Sequence, residues 1–248
     1  MVLCTPLQRP SASQTVTHSL MRLDQLRLML CMYLNYPLGW FMKLFVRGTF
    51  PRHLYAIVMG LTMQVFMFRS EVYLIYLMMF VSYAIMYLFP RRNCGLVTMI
   101  FVLIFLSTQH IYRMVTRYMS YDLDTTTYTM VLTAKMSALA YCYSDGGKPD
   151  HMLLPQQKKQ KVTDFPSVFE LLSYTCFFSG CVVGPFFEYA DYIRFIKMEG
   201  EYKHIPSTFL PSLKQFIFSH SNFFILICFS PSWPPPCHHP LLFSVNLW

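Results

Sequence analysis

VYLIYLMMFVSYAIMYLFPRR (residues 72–92) carries no charge from Val72 to Phe89 and then stops on Pro90-Arg91-Arg92. Eighteen uncharged, largely apolar residues closed by two arginines read as a helix solvated by lipid, since about 20 such residues cross a bilayer. One run of this kind could be the buried helix of a soluble bundle, but here it has company. Leu26 to Val46 is broken only by Asn35, Pro37 and Lys43, and Leu54 to Phe68 ends at Arg69-Ser70-Glu71. Leu96 to Tyr112, Tyr128 to Tyr143, Val168 to Val183 and Phe216 to Phe229 follow in series. The composition agrees. Of 248 residues 54% are hydrophobic and only 13% charged, where soluble domains carry about 25%. The expected fold class is therefore all-α: a polytopic membrane protein of about six to seven transmembrane helices.

The outer segments differ in kind. Residues 1–22 are polar and include Pro6 and Pro10. No cleavable leader with an apolar core is expected there, so insertion should rely on the first membrane helix. Residues 23–229 read as one multi-helix membrane domain. Residues 230–248 (SPSWPPPCHHPLLFSVNLW) form an atypical proline-rich tail, which cannot be a membrane helix because proline interrupts the backbone ladder that lipid demands. Its Cys237-His238-His239 triplet has metal-ligand types, but three consecutive residues do not converge on one ion, so no metal site is expected. The eight cysteines are scattered, mostly in or beside apolar runs, and read as small buried hydrophobes.

The net charge is +8. The cations sit between apolar runs, which points to a membrane surface rather than to nucleic acid. They divide evenly between the two sides of a six-helix layout, so the positive-inside rule does not orient the chain. Four of the lysines lie in the loop of residues 144–165. Its Lys158-Lys159-Gln160-Lys161 cluster could meet anionic head groups or the phosphates of a nucleotide-bearing cofactor, or could be a solvated basic loop. In residues 186–198, Phe187, Tyr189, Tyr192, Phe195 and Ile196 are interleaved with Glu188, Asp191, Arg194 and Lys197. That mixture suits an amphipathic helix lying in the membrane interface, or else a buried bend, and Asp191 and Arg194 are spaced to pair.

Two residues raise a chemical question. Lys135 lies inside an apolar run; its neighbours three and four away on a helix are Val131, Leu132, Ala138 and Leu139. A cation at membrane depth needs a partner or a wet cavity. Asp145, at the end of its own run, and Glu170, at the start of the next, are the candidate partners. It either locks two helices together or lines a polar chamber. His110, three residues before Arg113, is the histidine placed within a membrane run, as a proton-relay or acyl-transfer candidate or as a hydrogen-bonded structural group. The GxSxG elbow, HExxH, CxxC and the phosphate-cradling GxxxxGK[ST] loop are all missing.

Taken in order, Tyr121-Asp122-Leu123-Asp124, Val131-Leu132-Thr133-Ala134-Lys135, Asp145-Gly146-Gly147-Lys148, Gln156-Gln157-Lys158, Phe165-Pro166-Ser167 with Glu170, and Val183-Gly184-Pro185 resemble the membrane-bound O-acyltransferase family. The likeness spans roughly Leu23 to Phe218 and is nearest to the lysophospholipid acyltransferases, in particular the lysophosphatidylcholine branch. It implies an endoplasmic-reticulum, multi-pass enzyme that moves an acyl chain from acyl-CoA, a co-substrate rather than a bound cofactor, to the free hydroxyl of a lysophospholipid. The family's catalytic asparagine and histidine lie beyond the Gly-Pro segment, and this chain has no residue that matches them. No catalytic residue is therefore assigned. Lys135, Asp145, Gly184, Pro185 and His110 are expected to be framework or chamber wall. The resemblance leads to the expectation of a chain cut before the catalytic half. The alternatives are an inactive binding or regulatory isoform that pairs with full-length relatives, in homo- or hetero-oligomers, and, less favoured, a transporter.

Overall fold

The computed structural model describes residues 12–116, 124–180, 184–204, 210–211, 213–218 and 221. The tail of residues 230–248, the Cys237-His238-His239 triplet and most of the Phe216 to Phe229 run lie outside these residues. The chain divides into two units, Met1–Tyr202 and Lys203–Trp248. Among the described residues of the first there are helices and turns and no strand.

Its helices are α1 (Ala12–Phe45), α2 (Thr49–Phe68), α3 (Val72–Leu88), α4 (Arg91–Thr116), α5 (Thr125–Asp145), α6 (Pro155–Gln160), α7 (Val168–Thr175) and α8 (Tyr189–Lys197). The uncharged runs become α2 to α5, with ends a few residues from those expected. Helix α1 starts earlier than the apolar run alone suggests and continues through Pro37 to Phe45. The Val168 to Val183 run departs most from expectation. A capping box starts its helix: the Ser167 hydroxyl accepts from Glu170 N–H, and the Glu170 carboxylate accepts from Ser167 N–H. The helix ends eight residues later at Thr175. At about 1.5 Å per residue it is far too short to cross a bilayer.

Polarity runs inside out. Leu30, Trp40, Val65, Tyr73, Leu88, Ile104 and Val115 are exposed on α1 to α4, whereas Gln64, Ser82, Thr98, Thr129 and Thr133 are buried. Lipid permits that distribution, provided that each buried polar group finds an internal partner. Ser82 donates to the Met78 carbonyl at 2.7 Å and Thr133 to the Thr129 carbonyl at 2.7 Å, both one turn back. Thr129 also donates to Gln109 at 2.8 Å. Among the described residues, α4 is the helix long and apolar enough to cross a membrane. It lies along α5, so close at Gly95 that a Cβ there would stand 2.9 Å from the Tyr141 ring. Methionines fill the remaining core, with Met63, Met67, Met78, Met79, Met86 and Met136 all buried.

Both ends of α5 are pinned from α4. At the start, Asp124 accepts from Thr126 N–H at 3.1 Å as the N-cap and pairs with Arg113 Nε at 2.9 Å. Arg113, which the sequence set beside His110, thus serves the helix start. At the other end, Arg91 Nε donates to the Tyr143 carbonyl at 2.7 Å, and one Arg91 Nη2 donates to the carbonyls of Val162 and Thr163 at 2.6 and 2.9 Å. The guanidinium also stacks over the Tyr143 ring at 4.3 Å. Gly146 is what lets these groups converge, since a Cβ there would fall on the Val162 carbonyl and the Arg91 guanidinium. At Gly147 the closest atom is the flexible Arg91 Cδ at 3.0 Å. Gly146→Ala should therefore lower stability by more than about 2 kcal/mol, and Gly147→Ala by clearly less. Thermal unfolding of the two variants in the same lipid or detergent checks the order; a milder Gly146→Ala would contradict it.

Candidate functional site

The C-terminus of α7 stops inside the protein, and the carbonyls of its last turn need donors from elsewhere. Lys135, from the middle of α5 and fully buried, donates from Nζ to the Tyr174 carbonyl at 3.3 Å. Tyr128, two turns earlier on α5, donates its hydroxyl to the Thr175 carbonyl at 2.5 Å. The Leu172 carbonyl accepts from Cys176 N–H at 2.8 Å. A cation at a helix C-terminus also meets the negative end of the helix dipole. The rings complete the surroundings. Lys135 Nζ lies 4.2 Å from the centre of Phe187 and 4.9 Å from that of Tyr174. In a desolvated setting such contacts contribute about 2 kcal/mol.

Glycines let the backbone close around this cation. A Cβ on Gly60 of α2 would fall on the Cys176 carbonyl, so α2 rests directly on the end of α7. A Cβ on Gly180 would stand 3.5 Å from Lys135 Nζ and 3.0 Å from the Phe187 ring, and one on Gly184 would strike Gly180 and the Ser179 carbonyl. Pro185 follows, its carbonyl 3.6 Å from the same Gly180 position. A polar strand of contacts continues away from Lys135. Tyr76 on α3 donates its hydroxyl to Gln64 Oε1 at 2.7 Å and lies 3.1 Å from Cys176 Sγ. Gln64 Nε2 and Thr175 Oγ1 are buried there without a hydrogen-bond partner among the described residues. Burial pushes the Cys176 thiol up to about 11, against the opposing pull of the Tyr76 hydroxyl and Lys135. Burial thus favours the protonated thiol there.

Three of the residues singled out in the sequence, Lys135, Gly184 and Pro185, meet here. Asp145 and His110 do not. Asp145 pairs with Lys148 at 2.7 Å, ten residues or about 15 Å along α5 from Lys135. Glu170, the other expected partner, caps its own helix and accepts from the Tyr189 hydroxyl at 3.2 Å. Burial raises the Glu170 carboxyl, but the hydrogen bonds from Ser167 and Tyr189 outweigh it and hold the group below the ordinary carboxylate range. His110 sits half-buried next to Gln109, at the level of Thr129 and about two turns from Lys135. Tyr174, Gly180 and Gly60 had no role in the sequence reading, whereas Phe187 was read as part of an interfacial segment and Tyr128 as the start of an apolar run. The recurrence Phe177-Phe178…Gly180…Gly184-Pro185-Phe186-Phe187 was the available signal for Gly180 and Phe187.

A second polar cluster lies one turn back on α7. His53 of α2 and Ser173 are 2.5 Å apart, Nδ1 to Oγ, and both are buried. Ser173 Oγ also lies 2.8 Å from the Glu170 carbonyl. Side chains of α8 close the cluster: Tyr189, Tyr192 and Ile196 are buried, and Asp191 pairs with Arg194 at 2.9 Å as the spacing predicts.

Relatives of known name fall in one group. The chain is 30% identical to human lysophospholipid acyltransferase 5 over 198 residues, which is 77% of this chain and 39% of that protein. It is 34% identical to mouse membrane-bound glycerophospholipid O-acyltransferase 2 over 160 residues, 64% of this chain and 30% of that protein. Both relatives are acyltransferases by name, in line with the membrane-bound O-acyltransferase resemblance carried by the ordered motifs. A Schizosaccharomyces pombe lysophospholipid acyltransferase is 29% identical over 180 residues, 71% of this chain and 34% of that protein. No family model matches. The chain thus spans well under half the length of these acyltransferases.

Among the described residues, the groups around Lys135 include backbone carbonyls, the Tyr174 and Phe187 rings, and the Tyr76, Gln64 and Cys176 side chains. Lys135→Ala removes the cap of α7 and leaves a buried carbonyl and a cavity. The expected cost is about 3 kcal/mol, with the loss of α7 packing showing as faster amide exchange over residues 168–176. Wild-type unfolding and exchange would show that the cation holds nothing in place.

Proposed function

We propose that this chain forms the substrate-facing wall of a lysophospholipid acyltransferase of the endoplasmic-reticulum membrane. Such an enzyme takes acyl-CoA as co-substrate and reacylates lysolipids of the lysophosphatidylcholine type. The names of its relatives carry this reading. The ordered likeness from Tyr121 to Pro185, with Lys135, Gly184 and Pro185 converging on one buried polar site, adds to it. On this reading residues 23–229 are the membrane domain, crossing the bilayer about six to seven times, and the apolar outer faces of α1 to α4 meet lipid.

The division of labour is chemical. Acyl transfer to a hydroxyl needs a base that takes the hydroxyl proton as the acyl carbon is attacked. The buried groups around Lys135 are donors and a protonated thiol, and none of them is suited to that step. They are suited to holding the chamber wall, with Gln64 Nε2 and Thr175 Oγ1 left for polar atoms of a substrate or for water. The base would come from polypeptide other than these residues, in the same protein or in a full-length relative paired with it.

Two measurements on membranes from cells expressing the chain separate the outcomes. One is transfer of a labelled acyl group from acyl-CoA to lysophosphatidylcholine, compared with mock-expressing cells. The other is photocrosslinking of a diazirine-bearing lysophosphatidylcholine to residues 125–187. The expected result is crosslinking that excess unlabelled lysolipid competes away and that Lys135→Ala reduces sharply. Crosslinking without transfer assigns the chain a binding or regulatory part. Neither crosslinking nor transfer would falsify the acyltransferase reading for this chain.

A further inference from the structure

The loop between α5 and α7 combines features that a merely solvated loop does not need. Met152 and Leu154 are 69% and 67% exposed, while Leu153 between them is buried at 7% and anchors the segment. Lys158 and Lys159 on α6 are exposed. Lys158 N–H donates to the Leu154 carbonyl at 3.0 Å, which stacks the apolar tip and the first cation one turn apart on a single face. Residues 148–161 hold four lysines against one carboxylate, Asp150, although Lys148 is engaged by Asp145.

The segment is also held rigidly. Gln157 closes its start by accepting from Leu154 N–H at 3.0 Å. Gln160 donates to Asp191 at 2.7 Å and accepts from Arg194 at 2.8 Å, and Arg194 reaches the Lys159 carbonyl at 3.2 Å. Beyond it, Arg91 holds the carbonyls of Val162 and Thr163. Arg91 is the first residue of α4, the helix long enough to cross a membrane, so the loop lies at the level where that helix leaves the lipid.

We infer that residues 150–161 form a membrane-surface anchor, with Met152 and Leu154 entering the acyl boundary and Lys158 and Lys159 resting on anionic phospholipid head groups. Paired cations beside exposed apolar side chains are the arrangement that binds peripheral segments to acidic bilayers. A nucleotide phosphate would account for the lysines but not for the two apolar residues beside them. This assignment requires that α4 crosses the bilayer and not that the chain transfers acyl groups.

The test uses the whole chain in nanodiscs of phosphatidylcholine alone or with about 30% phosphatidylserine, a strongly anionic surface. Acetylation of Lys158 and Lys159 is followed by mass spectrometry, normalised to a free lysine peptide in the same sample. Labelling should be about fivefold slower on the anionic discs, with the difference lost at high salt. Met152→Ser/Leu154→Ser, whose exposed positions leave folding intact, should remove part of the protection while thermal unfolding stays unchanged. Equal labelling on both discs overturns the proposal. So does equal protection in lipid-free detergent, which would mean that protein covers the loop, and so does protection that appears only with added coenzyme A.

Discussion

A helix that ends against the rest of the protein has carbonyls in need of donors, and three of the helices here meet that need with cations borrowed from other helices. Lys135 of α5 caps α7, Arg91 of α4 caps α5, and Arg52 of α2 caps α8 through the Ile196 carbonyl at 3.0 Å. Each cation crosses from one helix to the end of another, so each is a tertiary bond as well as a cap. The short helices α7 and α8 depend on this. Isolated helices of eight or nine residues are not stable in water, let alone where an orphan carbonyl has no solvent.

Close backbone contact follows from the same constraint. A lysine or arginine spans only a few ångströms, so the helix end must come to it. Gly60 admits the Cys176 carbonyl, Gly146 admits Arg91 and Val162, and Gly184 admits the turn at Gly180. Small residues at such crossings are what membrane helices use where lipid gives no hydrophobic drive to associate. The outcome at the candidate site is a wall fixed from three sides, by α2 below α7, by α5 through Lys135, and by the Gly184-Pro185 turn with Phe187. Such a wall is held in place by backbone contacts as well as by side chains. That agrees with a role in shaping a chamber.

The long elements were legible because lipid writes a simple code: Val72 to Phe89 becomes Val72–Leu88, and Tyr128 to Tyr143 becomes Thr125–Asp145. The start of α7 was equally local, a capping box at Ser167 and Glu170. Its end was not, because Thr175 is terminal only by virtue of Lys135 and Tyr128, forty or more residues away. Lys135 was recognised as a buried cation in need of a partner, yet both carboxylates proposed for it are engaged elsewhere. Sequence offers charges to pair, whereas backbone carbonyls and ring faces belong to every residue and carry no mark. The rings of residues 186–198 show the same limit. Periodicity finds an amphipathic helix in them, but only packing shows that Tyr189, Tyr192 and Ile196 turn toward the protein.

Burying a cation against helix carbonyls rather than a carboxylate has an energetic logic. A buried Lys–Glu pair desolvates two full charges, and the attraction often fails to repay both. The carbonyls at the end of α7 are already desolvated by the fold and already carry roughly half a negative charge from the helix dipole. Lys135 therefore adds one desolvation and cancels an existing deficit, and the faces of Tyr174 and Phe187 contribute the rest without any formal charge. Glu170 is freed to hold the other end of the same helix. The eight residues of α7 thus have a carboxylate at the positive end and an ammonium at the negative end, both matched to the dipole. The helix that carries the candidate site is stabilised at both ends by charges about 12 Å apart that never need to meet.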